Sequence, residues 1–495
     1  MPISRRAFAR GAAGFGAMLA GRSLRAARPV PKLLVLIAVE ACRSDSLERN
    51  RASLGKNGLR RLMDEGCYFP DCRMAASTFT SSGLATLATG TWPQLHGIVA
   101  DTWYEPGTHQ LVKAGPEVLA ATGLGDQIAR DLKSRVFTIG LDQNRTALLA
   151  GRNPMAVFSL NERGEFVVHG RASVAWFGAF QRANPATNLH NASWLALGAP
   201  KGSQALRVLN YDPARPQDFV FLYKASPFAQ SNMFDLAHEV IVRESLGQGG
   251  GGIDYLVVSP GSTSLLGYDV GSDSPLMDQL MLHLDREIEK LLDTLNSLVG
   301  FANYTVVFTA AHGGPPQPPP VQPRPAVSGE ALVRTIERAL VDRFKTVFVD
   351  RYVYPFLYLK IPPTLDHRQV RAAAARMAMQ IPGVAGYFTA DGDCSHGGEW
   401  LRRFRNSFHE QRSGDLMLSY AAGWVEDFGA GRGVSYGSFY NYDSRVPLMF
   451  YGGPFRSRTF ETPAQAVDVA PTMARLAGVA YPSSSVGRVL GETFE

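Results

Sequence analysis

Four short, almost uninterrupted apolar runs do most to limit what this chain can fold into. They are KLLVLIAV at 32–39, DYLVVS at 254–259, YTVVFTAA at 304–311 and VPLMFYG at 446–452, each ending in a polar or glycine-rich turn. A strand with one wet face alternates apolar and polar residues. A run that is apolar throughout suits a parallel sheet covered on both faces. Helical patterns lie between the runs. SPLMDQLMLHLDREIEKLLDTLNSLVG at 274–300 opens on Ser, places Pro next, spaces its apolar residues at helical intervals and stops at Gly. Strands alternating with helices predict an α/β fold, a doubly wound, mostly parallel sheet with helices on both faces. Chemistry in such sheets collects beyond the carboxyl ends of the strands. The residues to inspect are therefore Glu40, Ser259 to Gly271, Ala311 to Gly314 and the segment around Asp443.

The first residues read as an address. SRRAFAR at 4–10 has the twin-arginine pattern of a bacterial export signal, and GAAGFGAMLAG comes directly after it. The competing reading is a basic amphipathic N-terminal helix. Residues 1–28 hold six arginines and no acid, and beyond them 44 basic residues face 44 acidic ones. The basic excess thus belongs to the leader, and no nucleic-acid footprint is expected. No apolar run reaches the length of about 18 residues that a membrane span needs. The expected organisation is an export signal at 1–27 and one domain at 28–495, with insertions over about 104–225 and 326–425. The expected location is periplasmic or secreted. GQGGGG at 247–252 is a flexible loop, and residues 315–325 hold seven prolines and must be extended. Helices are expected at 328–343 and 367–380. The four cysteines (42, 67, 72, 394) form no CxxC. Cys67 and Cys72 are close enough in sequence to staple a loop, or are simply small buried residues.

Two generic motifs carry little. GVSYG at 433–437 matches a nucleophile elbow, and His312-Gly313-Gly314 resembles an oxyanion motif. An elbow needs a strand before Ser435 and a helix after it, and neither flank fits. The informative segment is TFTSSGLATLATGTWPQLHGI at 78–98. A hydroxyl opening this small-residue helix would lie in the positive field of its amide ends, a good place for a phosphoryl group. Taken alone, Thr80 or Ser81 reads equally as a helix cap.

This segment resembles the nucleophile region of the alkaline phosphatase superfamily, in its type I phosphodiesterase and nucleotide pyrophosphatase-like branch. The resemblance continues through HGIVADTWYE at 96–105, LGYDVGSDSP at 266–275, FTAAHG at 308–313, GVSYGSFYNYDSRVPLMFYG at 433–452 and VDVAPTMARLAGV at 467–479. It implies a threonine nucleophile and two zinc ions, one activating that threonine and one stabilising the leaving oxygen. The implied nucleophile is Thr80, and the implied ligands of its metal are Glu40, Thr80, Ala311 and His312. Glu40 stands where the family has aspartate, and Ala311 replaces an aspartate outright. The second metal's ligand positions fall on Ser264, Tyr268 and Tyr436, all replaced. The substrate positions fall on Asp101, where the family has an amide, and on Gln143 and Arg145, where monoesterases carry a Lys-x-Arg pair. A family histidine falls on Leu84.

Zinc takes three or four strong donors, and neutral serine and tyrosine hydroxyls are poor ones. At most one metal site, at Glu40, Thr80 and His312, is expected. Asp269, one residue beyond Tyr268, could rescue the second only by a slip of register. Two functions stand as expectations. One is a pseudoenzyme whose two-zinc chemistry is impaired or lost. The other is a hydrolase of small phosphate mono- or diesters that uses Thr80 with one metal or a changed ligand set. Asp443, Arg445 and Asp468 are expected to be structural, as ion-pair or capping residues.

Overall fold

The computed structural model describes residues 30–494 except 132, 172–173, 201, 317–324 and 428–435. The export signal expected at 1–27, most of the proline-rich stretch and Ser435 lie outside the described residues.

The chain lays down β1 (Leu33–Ala41), β2 (Cys67–Arg73), β3 (Arg135–Gly140), β4 (Ala156–Leu160), β5 (Phe166–His169), β6 (Asp254–Ser259) and β7 (Tyr304–His312). It then forms a second sheet from β8 (Val349–Val353), β9 (Phe356–Leu359), β10 (Val384–Thr389) and β11 (Leu416–Tyr420), and returns to the first with β12 (Arg445–Gly452). The central sheet has the order β2–β12–β7–β1–β6–β3–β4–β5, extended at β2 by two short strands. β1 pairs in parallel with both β6 and β7, while β12 and β5 run antiparallel to their neighbours. Every residue of β1, β6 and β7 is buried, as their unbroken apolar runs require. This is the α/β fold with a mostly parallel sheet expected from the sequence.

Five helices build the site and its support. They are α1 (Thr80–Thr89), α2 (Gln143–Ala150), α3 (Pro227–Arg243), α4 (Ser262–Val270) and α5 (Pro275–Leu298). α5 is the amphipathic helix read from the sequence, and the Ser274 hydroxyl accepts from the Met277 amide at its start. Within residues 104–225, β3, β4 and β5 extend the central sheet itself. Residues 326–425 carry β8–β11, ordered β8–β9–β11–β10 and antiparallel. Two helices, Gly329–Phe344 and His367–Ala378, pack on that sheet around Leu332, Ile336, Leu357, Val370 and Leu416.

None of the four cysteines is joined in a disulfide. Cys67 and Cys72 lie on the same strand, β2. Five extended residues hold their Cα atoms about 16 Å apart, far beyond the roughly 7 Å that a disulfide spans. The stapled-loop reading of this pair is therefore corrected.

Candidate functional site

Three neighbouring parallel strands end together, and each delivers part of the site. Glu40 is the last residue but one of β1 and His312 closes β7, both almost fully buried. α4 comes after β6 by a short turn and carries Ser264 and Tyr268. α2 comes after β3 and carries Arg145, with the Asp142 side chain capping its first turn. α1 brings Thr80 to the same end.

The placement of α1 depends on Gly83. A Cβ there would stand 2.1 Å from the Ala311 carbonyl oxygen, so only glycine lets the helix rest on the end of β7. That close approach sets the Thr80 hydroxyl 2.9 Å from His312 Nε2. His312 Nδ1 lies 2.8 Å from the Gly313 carbonyl, which can only accept. The imidazole therefore carries its proton on Nδ1, and Nε2 accepts from Thr80. Burial pulls the His312 pKa down to about 4, so the ring is neutral at physiological pH.

The charged groups pair with one another. Arg145 Nη1 donates to Glu40 Oε2 at 3.0 Å, and Arg145 Nη2 lies 3.7 Å from Asp101 Oδ1. Asp101 Oδ1 also accepts from the Ser81 amide at 2.9 Å and the Ser81 hydroxyl at 2.5 Å. Burial pushes the Glu40 carboxyl up to about 7, although Arg145 pulls against that rise. At Asp101, burial is outweighed by Arg145 and by the two Ser81 bonds, which hold the carboxyl below the usual range.

On the other side of His312 stands Tyr436. Its ring centroid is 4.4 Å from that of His312, and its hydroxyl donates to the Ser264 carbonyl at 2.6 Å. Gly267 leaves room for it, since a Cβ there would sit 2.7 Å from the tyrosine oxygen. Tyr268 lies one turn beyond Ser264 on α4, half-buried. Ala311 and Leu84 are fully buried core residues. Gln143 is exposed at the start of α2. Asp269 gives no support to a slipped register, because it is bonded to Arg207 at 2.8 Å.

The structure thus gathers Glu40, Thr80, Asp101, Arg145, His312, Tyr436 and the Ser264 backbone, and leaves Gln143 outside. Sequence reasoning passed over Gly83 and Asp142, and read Ser81 only as a cap. As the neighbour of Thr80, Ser81 could have been suspected of a part in the site. Asp142 could have been suspected from the Asp-x-x-Arg start of α2. Nothing in a linear pattern marks Gly83 as the contact with β7. Of the residues expected to be structural, Asp443 accepts from Ser438, and Asp468 accepts from the Gln465 and Arg488 amides. Arg445 is half-exposed, 3.6 Å from Asp71.

These donors do not fit a pair of zinc ions. Among the described residues no three His, Cys, Asp or Glu side chains are grouped to hold a metal. Glu40 is bonded to a guanidinium, the His312 lone pair is taken by Thr80, and Tyr436 points its proton at a carbonyl.

A parallel sheet in this order, with a threonine opening a helix against its central strand, defines a member of the alkaline phosphatase superfamily. The chain belongs to the type I phosphodiesterase / nucleotide pyrophosphatase family, whose model matches residues 34–433. Alkaline phosphatase PafA of Elizabethkingia meningoseptica is 24% identical over 527 residues, covering 94% of each chain. A protein named calcium-transporting ATPase from Myroides odoratus is 24% identical over 523 residues, 94% of this chain and 95% of that one. The crystal structure of wild-type alkaline phosphatase PafA superposes with a TM-score of 0.83 at 21% identity, over 95% of this chain and all of that one. Murine ectonucleotide pyrophosphatase / phosphodiesterase 5 gives a TM-score of 0.59 at 14% identity, over 91% and 96%.

Proposed function

We propose that this protein is an exported pseudoenzyme of its family: it keeps the nucleophile pocket and binds a small phosphate ester or a related ligand, but two-zinc ester hydrolysis is impaired or lost. The Glu40–Arg145 ion pair carries this reading, since the one carboxylate left at the metal positions is already neutralised by the protein's own cation. Ala311, Ser264, Tyr268 and Tyr436 supply no replacement of comparable strength. Among the described residues no helix is long and apolar enough to cross a membrane.

The test is zinc quantitation on the purified protein together with assays on nitrophenyl phosphate mono- and diesters. Fewer than two zinc ions per chain are expected, with rates far below those of two-zinc relatives. Two zinc ions and brisk turnover that disappears in Thr80→Ala would overturn the reading.

One geometry favours a second reading, a hydrolase that works without a metal ion. Thr80, His312 and the Gly313 carbonyl stand as nucleophile, proton acceptor and orienting group. Under this reading turnover survives chelation of metal and is lost in both Thr80→Ala and His312→Ala.

A further inference from the structure

Arg145 does something at this site that a phosphate-binding arginine would not do. It reaches from α2 to a carboxylate at the end of β1, 105 residues away in sequence. That carboxylate is only 3% exposed, while the Arg145 side chain is 28% exposed, so the cation covers the anion from the solvent side. Gly261 closes another side, where a Cβ would lie 2.9 Å from the Glu40 carboxyl carbon. A second carboxylate, Asp101, lies 3.7 Å from the same guanidinium and acts electrostatically on His312. A carboxylate buried to this degree must be neutralised by a partner or take up a proton. One fixed cation therefore serves two acids of the pocket, and little of its charge remains for an incoming anion.

We infer that the Arg145 guanidinium is a tethered cation standing in place of the nucleophile-side metal ion. It neutralises Glu40, steadies Asp101, and closes to divalent ions a site that Glu40, Thr80 and His312 would otherwise form. This deepens the proposed function and rests on its reading of the metal positions. Arg145 is then a positioning residue: it holds Glu40 and Asp101 in place without itself taking part in a reaction. The same chemistry explains why Glu40, one methylene longer than an aspartate, is accommodated: the longer arm meets a guanidinium approaching from the side.

The experiment is zinc titration of the full chain, by calorimetry and by thermal unfolding, on four proteins. These are wild type, Arg145→Lys, Arg145→Met, and Arg145→Met combined with Glu40→Gln. Wild type and Arg145→Lys, which keeps the charge, are expected to show no saturable uptake at this site. Arg145→Met is expected to bind one zinc per chain at least tenfold more tightly than wild type, with a melting temperature that climbs with zinc concentration. The double variant is expected to lose that gain. Equal zinc binding by wild type and Arg145→Met would overturn the inference, as would binding that survives Glu40→Gln. If Arg145→Met does not fold alone, zinc added during refolding is expected to rescue it, and failure to rescue while the double variant folds would also overturn it. Brisk turnover by metal-free wild type would instead sink the pseudoenzyme reading and leave the Arg145 result standing.

Discussion

Asp443 shows how far a single buried carboxylate can shape this molecule without touching chemistry. It is fully buried, one oxygen accepts from Ser438, and Oδ1 has no hydrogen-bond partner among the described residues. Burial pushes its pKa up to about 7. An aspartate in the unfolded chain loses its proton near about 4. Between those values the folded protein holds a proton that the unfolded chain has lost, so stability falls as pH rises from about 4 to about 7, by up to about 4 kcal/mol. Asp443→Asn removes this dependence. In urea unfolding, the variant is expected to gain on wild type steadily from about pH 5 to about pH 7 and then to level off. A stability difference that does not move with pH would show that Asp443 is ionised throughout. At this scale the sequence was uneven in what it revealed. Thr80 and His312 are legible because each sits in a recognisable turn of the family pattern. The Glu40–Arg145 pair is not, because nothing local couples residues on β1 and α2. Only the parallel neighbours between them, β6 and β3, bring the two ends together.

The elements that proved legible are those whose burial is uniform. β1, β6, β7 and β12 read directly as apolar runs, and α5 as an amphipathic stripe between a Ser start and a Gly stop. β2 did not, since CYFPDCR near the sheet edge mixes proline and charge with its apolar residues. The strands of the second sheet did not either: VDRYV in β8 is only half-buried and breaks the apolar pattern. α1 is a third case. All ten of its residues are buried, so it has no polar face to give a helical period. Its position is set by Gly83 against the Ala311 carbonyl, and that contact can be tested. Gly83→Ala puts a methyl where the backbone of Ala311 already stands, and no side chain can rotate away. The expected cost is about 2 kcal/mol in chemical unfolding, although alanine alone favours a helix by about 1 kcal/mol. Thr80 should also be displaced from His312. A neutral or stabilising outcome would mean that α1 does not rest on β7.

Across the whole molecule, the scaffold follows the family while the residues at the metal positions implied by the resemblance differ from it. The sheet order, the helix that presents Thr80 and the buried turns at Asp443 and Asp468 are all in place, while the positions that the resemblance implies for a second metal hold Ser264, Tyr268 and Tyr436. The replacements are not scattered gaps. Tyr436 is bonded to α4, Glu40 to Arg145, and Asp101 to the start of α1, so each of these residues is drawn into contacts that hold the elements together. A pocket repaired at its metal positions alone should therefore stay poor. The variant carrying Ser264→Asp, Tyr268→His, Ala311→Asp and Tyr436→His restores the donor types and is expected to take up one zinc per chain, at the second position. Arg145 still occupies Glu40, and Asp101 still presents a negative charge where a phosphate would enter. Nitrophenyl phosphate hydrolysis should rise only slightly in this variant, and should rise by a further tenfold or more, about 1.4 kcal/mol of barrier, when Asp101→Asn is added. Metal content and rate measured on both variants separate the two defects. If the four ligand changes alone brought rates near those of two-zinc relatives, the Arg145 and Asp101 contacts would be incidental, and the loss of ligands would be the whole of what sets this chain apart.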